Sequence, residues 1–386
     1  MKFLHLSDLH LGKRVHAFSM LEDQRVILEQ IAQMARAQCV DAVVIAGDIY
    51  DKSIPPGEAV GLFDSFFTSL CAAGISVLAI SGNHDSGERL NFGQTLLARQ
   101  GVYLAGTFGE TMESVELCDA DGCRVQFHLL PWLRPMELRE RLWLAESTQQ
   151  YAVQAALETA DWDDSARHVL LAHAFVTAGG ALPEQSESEI IPVGGLDAVD
   201  AALFDRFDYV ALGHLHRAQR LGRDSVRYAG SPLKYSFSEA KYPKSVPLVT
   251  LGARGEATVE LLPLRPRHEM REIRGKLADV TSELVVHAGD PEDYLRVILT
   301  DEDELYDPQS ALKEVYPNLM RLDFDNARTR AADIDGLCEE DIAQKRTPAQ
   351  LFAQFFAEQN GKEMSEWQQQ VIDRICRRME DAYEAN

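Results

Sequence analysis

The chain has no apolar run near the roughly 18–20 residues that a bilayer-spanning helix needs, so the sequence argues against a membrane span. It enters a strand at once, Lys2-Phe3-Leu4-His5-Leu6, with no apolar segment and small-residue cleavage site before it. The expectation is therefore no signal peptide and a cytoplasmic location. Cysteine is scarce: six residues (Cys39, Cys71, Cys118, Cys123, Cys338, Cys376), none in a Cys-x-x-Cys pair, which fits reduced, mostly buried thiols. Cys118 and Cys123 flank a probable hairpin turn, Asp119-Ala120-Asp121-Gly122, but zinc there would need two further ligands that are not at hand. Positive charge is short too, with 38 basic against 61 acidic residues and a net charge of −23, which by itself argues against nucleic acid. The average hides a locally basic stretch: Arg217, Arg220, Arg223, Arg227, Lys234, Lys241 and Lys244 against Asp224 and Glu239. It reads either as a solvated hairpin face or as contacts to phosphates.

What is present is a globular composition, 46% hydrophobic, in 386 residues, too long for one ordinary core. Two domains with an appendage are expected. Apolar strands are expected at 2–7, 41–46, 77–80, 169–172 and 209–212, with helices at about 18–37, 57–71, 88–99 and 147–159. Helix 57–71 carries Leu62, Phe63, Phe66, Phe67 and Leu70, a stripe broad enough to suggest a subunit interface. Strand-like runs at 112–118 and 124–130, and antiparallel runs at 218–221, 225–229, 246–251 and 257–264, suggest two stacked sheets covered by helices. Beyond Pro263–Arg267 come a small α+β unit (269–325), a charged linker (326–346), and two helices, 347–356 and 366–383, the second capped by Ser365.

The strand ends carry the chemistry. Asp8, His10, Asp48, Asn83, His173, His214 and His216 each lie within a few residues of an apolar strand's end, where α/β sheets place their sites. Mixed oxygen and nitrogen donors suit borderline divalent ions such as Mn²⁺, Fe²⁺ or Zn²⁺. Seven are too many for one ion and suit two, which about 3.5–4 Å apart clamp the attacking and leaving oxygens of a phosphate ester.

In order along the chain, Asp8-x-His10, Gly47-Asp48-x-x-Asp51, Gly82-Asn83-His84-Asp85, His173 and Gly213-His214-x-His216 resemble the motifs of the calcineurin-like metallophosphoesterases. Ser7-Asp8-Leu9-His10-Leu11-Gly12, Ala229-Gly230-Ser231-Pro232-Leu233-Lys234-Tyr235-Ser236-Phe237 and the closing segments resemble, within that superfamily, the SbcD-type nucleases. The resemblance implies a four-layer α-β-β-α sandwich, α/β (α+β) in class, over 1–266. A DNA-capping domain would follow over 267–326, a linker over 327–346, and helices over 347–386 that bind an SbcC ATPase. It implies two divalent ions per chain, Mn²⁺ foremost: Asp8, His10 and His216 hold one, Asn83, His173 and His214 the other, and Asp48 bridges. His84 would protonate the leaving 3′ oxygen, oriented by Asp51, while Asp85 ties the turn. Arg14 and Arg89, just after two of the motifs, read as phosphate contacts or plain surface charge.

The same resemblance implies a DNA nuclease in DNA repair, recombination and replication. It would be a duplex 3′–5′ exonuclease and a single-strand and hairpin endonuclease, gated by ATP through SbcC. Two SbcC and two SbcD subunits would assemble, with a homodimer through helices 57–71 and 88–99. Lys52-Ser53 and Asp85 depart from the protein-phosphatase pattern of Arg-Gly and Glu at these places. A free-standing phosphodiesterase for small nucleotides and an ATPase adaptor with a vestigial site are the alternatives.

Overall fold

The computed structural model describes residues 1–386 except 120, 143–145, 188, 190–197, 254–255, 328, 330–351, 354–355, 358–362, 373 and 376–386. Alternation along the strands decides the architecture. All of Ala42–Ala46 is buried, yet it faces two ways. Val43 and Ile45 pack with Leu4, Leu6 and Val77 against Ile27, Phe63, Phe66 and Leu70 of helices α1 (Leu21–Ala37) and α2 (Gly57–Cys71). Ala42 and Val44 pack with Phe3, Leu78 and Ile80 against Phe127, Val169, Leu171, Tyr209 and Ala211 of a second sheet. That sheet's far face, with Leu170, Ala172, Val210 and Leu212, is covered by Ala152, Val153 and Ala156 of helix Gln149–Glu158. Strands apolar on both faces must be central, and the result is the expected four layers: helices, sheet, sheet, helices.

The first sheet runs Ala257–Pro263, Ser245–Leu251, Lys2–Leu6, Ala42–Ala46, Ser76–Ile80, Val102–Ala105. Its last four strands are parallel. The second runs Gln219–Leu221, Arg223–Tyr228, Tyr209–Gly213, Arg167–His173, Arg124–Leu130, Glu113–Cys118. The runs expected to be antiparallel divide between the sheets, and Arg223–Tyr228 pairs parallel with Tyr209–Gly213. A short returning strand satisfies local alternation whichever neighbour it pairs with, so its direction was not readable. Register brings Leu6 beside Ile45, Ala46 beside Ile80 and Gly213 beside His173, so the parallel strands of each sheet end level. The two sheets also abut there: a Cβ on Gly213 would strike the Ala46 carbonyl oxygen.

The strands Met270–Gly275, Tyr294–Leu299 and Leu319–Phe324 form a third sheet, with its own core of Val286, Leu295, Val297, Leu312 and Tyr316. Asp23 of α1 ties to it, accepting from Tyr294 Oη at 2.8 Å and His268 Nδ1 at 3.0 Å. The chain divides into two compact units, Met1–Leu299 with Leu305–Asp323, and Thr300–Glu304 with Phe324–Asn386. In the second, Ser365 and Gln368 cap one another reciprocally. The expected helix 347–356 and most of the linker lie largely outside the described residues.

Three expectations need correction. Helix 88–99 is two short helices, Gly87–Leu90 and Gln94–Ala98, broken where Gly93 takes a left-handed φ of 75°. Among the described cysteines none is fully buried; Cys39, Cys118 and Cys123 lie at exposed turn and hairpin positions. Helix Pro135–Leu142 was not anticipated. Among the described residues, no helix is long and apolar enough to cross a membrane.

Candidate metal centre

The level strand ends place every expected donor at one edge of the molecule. Four of them, Asp8, His10, Asp48 and His214, have positive φ (53°, 45°, 50° and 110°), rare for residues with a Cβ. Such backbone strain, of order 1–3 kcal/mol each, persists only where the surroundings enforce it, and it clusters at working sites. Here the enforcement is visible. Asp8 N donates to Gly47 O and His10 N to Asp48 O, both at 3.0 Å, locking the two loops together. His214 N donates to Asp8 Oδ1 at 3.0 Å. Gln24 of α1 donates to His10 O at 2.7 Å and Leu9 O at 3.3 Å. Asp85 accepts from the amides of Ile49, Tyr50 and Gly82 at 2.8–3.1 Å, so it ties the turn as expected. Burial and the nearby Asp48 push its carboxyl up to about 7 against those donors.

The side chains turned inward bring their nitrogens and oxygens close to one another. His10 Nε2 lies 3.1 Å from His216 Nε2. Asn83 Oδ1 lies 3.0 Å from His173 Nε2 and 3.3 Å from His214 Nδ1. Asp48 Oδ2 stands between the groups, 3.7 Å from His10 Nε2 and 3.4 Å from His173 Nε2. Bonds of about 2.0–2.2 Å to a shared cation put adjacent donors roughly 3–3.5 Å apart, a spacing that most of these pairs match. Three sets of donors, Asp8/His10/His216, Asp8/Asp48/His173 and His10/Asp48/His84, each lie within 4.8 Å. The residues present therefore fit two divalent ions with Asp48 between them.

Burial and mutual charge give the donors different protonation states. Burial holds His10 well below its ordinary pKa and His214 down at about 3, in the neutral, ligating form. Burial would lower His173 as well, but Asp48 outweighs it and raises it to about 9. The same contact, against burial, holds Asp48 far below the usual carboxylate range. Burial raises Asp8 to about 6, partly offset by His173 and His216. His173 Nδ1 donates to Ala46 O at 2.8 Å, which leaves Nε2 directed at Asn83 and Asp48.

His84 is half-buried beside His10, the rings 4.8 Å apart and perpendicular. Its Nδ1 donates to Asp51 at 3.0 Å, but to the main-chain carbonyl, not the carboxylate that sequence reasoning chose. The Asp51 carboxylate instead pairs with Lys13 Nζ at 2.7 Å and faces His10 Nδ1 at 3.7 Å. The peptide carbonyl at a turn is open to any neighbouring donor, and no side-chain pattern reveals it.

Sequence reasoning also missed Glu239. It is 2% exposed, and its carboxylate faces His216 Nδ1 at 3.6 Å and Lys244 Nζ at 2.5 Å. Burial would raise its pKa, but Lys244 and His216 outweigh that and hold it at about 2. The one available signal was an acidic residue inside an otherwise basic stretch, and Ser236-x-x-Glu239 also reads as a helix start.

The basic stretch is mostly committed within the chain. Arg217 pairs with Glu184, Arg220 with Asp224, Lys234 with Glu269, Lys244 with Glu239, and Arg223 donates to Phe204 O and Phe207 O. A free basic face there is not what folds. Arg14 donates to Ala17 O, and Arg89 lines a cleft beside α2 instead of the donor cluster.

Residues 1–218 match the calcineurin-like phosphoesterase family, and residues 266–360 the type 5 capsule protein repressor C-terminal domain. The chain is 32% identical over 327 residues to the SbcD component of nuclease SbcCD from Staphylococcus epidermidis, covering 83% of this chain and 85% of that protein. A solved dimetal phosphatase from Danio rerio superposes with a TM-score of 0.40 at 14% identity over 70% of this chain and 97% of its own; that likeness bears on neither fold nor function. A chain with these motifs, these layers and this relative belongs to the calcineurin-like phosphoesterases, in the branch that includes the SbcD component of nuclease SbcCD.

Proposed function

We propose that this chain is the nuclease subunit of an SbcCD-type complex, hydrolysing DNA phosphodiesters with two divalent ions, Mn²⁺ foremost. The observation that carries it is the pair of donor groups sharing Asp48 Oδ2, 3.4 Å from His173 Nε2 and 3.7 Å from His10 Nε2. Asp8, His10 and His216 would hold one ion, Asn83, His173 and His214 the other. When bound, two such ions supply positive charge against the phosphate oxygens and a water acidic enough to attack near neutral pH.

The chain's own residues do the rest. Asp48 Oδ1 accepts from His84 N at 2.9 Å, so the bridging carboxylate also sets where His84 begins. With Nδ1–H held by Asp51 O, the His84 ring presents Nε2, the atom that would carry the proton given to the leaving 3′ oxygen. The sheet Met270–Phe324, tied to α1 through Asp23, would seat DNA over the donor edge.

The regulated behaviour belongs to the same proposal. An SbcC ATPase partner would grip the C-terminal helices and gate duplex ends to exonuclease cleavage, and hairpins and single strands to endonuclease cleavage, in the cytoplasm. A homodimer is supported by an apolar cleft of about 750 Å³ between α2 and the 87–98 segment, where Val60, Phe92 and Leu96 are exposed. The test is Mn²⁺-dependent digestion of hairpin DNA, with and without the ATPase, beside a small-nucleotide diester. Turnover of the small diester alone would favour a free-standing phosphodiesterase and end this proposal.

A further inference from the structure

The two donor groups are not backed alike. His10 and His216 meet through their Nε2 atoms; with both Nε2 atoms given to a cation, each ring would carry its proton on Nδ1. Near each Nδ1 stands a carboxylate, at ion-pair and not hydrogen-bond distance: Glu239 at 3.6 Å for His216, Asp51 at 3.7 Å for His10, whose Nδ1 makes no hydrogen bond among the described residues. Behind each carboxylate stands an ammonium: Lys244 at 2.5 Å and Lys13 at 2.7 Å. The Glu239 bracket is fixed from several sides. Lys244 Nζ also donates to His216 O and Ser231 Oγ, both at 2.8 Å, and Tyr235 N donates to Glu239 Oε1 at 3.2 Å. Among the described residues the other group has no such backing: His173 Nδ1 donates to a neutral carbonyl, and His214 turns Nδ1 inward. It also offers the neutral Asn83 where the first group offers Asp8.

An anion behind an imidazole N–H fixes the tautomer and makes the ligating nitrogen a stronger donor. A lysine paired with that carboxylate offsets its charge. We propose that Asp51–Lys13 and Glu239–Lys244 are positioning pairs for His10 and His216, and that they make the Asp8/His10/His216 ion position the tighter of the two. This rests on the two-ion reading above. The bland alternative is that Lys244 merely ties the His216 loop to the Ser231 loop.

The test is calorimetric and EPR-monitored Mn²⁺ titration of the metal-free full-length chain, beside its melting temperature. The unmodified chain should take up Mn²⁺ in two unequal steps. Glu239→Gln combined with Lys244→Met removes both charges and strands neither; it should weaken the tight step 10–100-fold and leave the weak step in place. Asp51→Asn, at the less enclosed pair, should do the same and serves where the double variant does not fold. Glu239→Gln alone, which keeps an acceptor toward Nδ1, should fall between. Two equal steps in the unmodified chain overturn the inference, as does an unchanged tight step in a variant that melts like it. No Mn²⁺ uptake at all would sink the two-ion reading itself.

Discussion

His84 Nδ1 and the main-chain oxygen of Asp51 are 3.0 Å apart, so the turn's backbone, and not a second side chain, holds the residue nearest the proposed leaving group. The two side chains should therefore fail differently. His84→Gln should cut hairpin cleavage by roughly 10²–10⁴-fold with Mn²⁺ affinity unchanged. Asp51→Asn keeps the carbonyl and should act through metal affinity instead. Single-turnover cleavage beside Mn²⁺ titration checks this; a cleavage loss in Asp51→Asn at saturating Mn²⁺ matching that of His84→Gln would refute it.

Gly82 sits so close to Asp48 that a Cβ would collide with the carboxylate. Gly82→Ala should push the Asp48 side chain, the proposed bridge, out of line. Overpacking of this kind costs about 1–3 kcal/mol, so the chain should still fold, melting lower. Mn²⁺ uptake should fall by more than the melting shift accounts for. Uptake equal to that of the unmodified chain would show that Asp48 does not bridge.

These two predictions separate what the sequence showed from what it hid. Alternating apolar strands such as Val43/Ile45 against Ala42/Val44 announced central strands, and ligand types at their ends announced the site. Strand-end residues follow their motif wherever the loop goes, so the seven that the fold brings together could be named from the sequence. Glu239, Lys13 and the Asp51 carbonyl could not, because each acts by where the fold puts it and none has a distinctive neighbour in sequence. The basic stretch misled for the converse reason: charge was visible, but the partners Glu184, Glu239 and Glu269 lie elsewhere.

Acid should unfold the metal-free chain partly through histidines outside the site. Burial lowers His5 and His128 from 6.5 to about 3. In the unfolded chain each takes up a proton near pH 6.5; in the folded chain it stays neutral until about pH 3. Their stabilisation is thus complete above 6.5 and is lost as pH falls toward 3, by about 1.4 kcal/mol per pH unit for each. His128→Gln, which can keep a contact to His168, should lose about 2 kcal/mol less than the unmodified chain between pH 6.5 and 5. Urea midpoints at the two pH values measure it, and parallel losses in both would contradict it.

Phe92, in the turn between the two short helices, is 87% exposed, and Leu96, on the second of them, 68%, both lining the α2 cleft. Apolar side chains this bare want a partner. Phe92→Asp with Leu96→Asp should leave a monomer by light scattering, with Mn²⁺ uptake intact, where the unmodified chain should run as a dimer. A dimer that survives both charges would place the interface elsewhere.

Asp23 and Gln24 are neighbours on α1 that hold different parts of the molecule. Asp23, 2% exposed, accepts from Tyr294 Oη and from His268 Nδ1 and N at 2.8–3.3 Å. Gln24 holds the carbonyls of Leu9 and His10 and accepts from Gly12 N at 3.0 Å. Because one turn of helix carries both, a pull on the small sheet through Tyr294 bears on the loop that presents His10. Asp23→Ala strands three donors, which costs about 1–3 kcal/mol for a buried group, and most of that should appear locally. Hydrogen exchange should quicken in Tyr294–Leu299 and in residues 9–12 together, while Ser76–Ile80 stays protected. Quickening confined to the small sheet would mean that α1 does not couple the two.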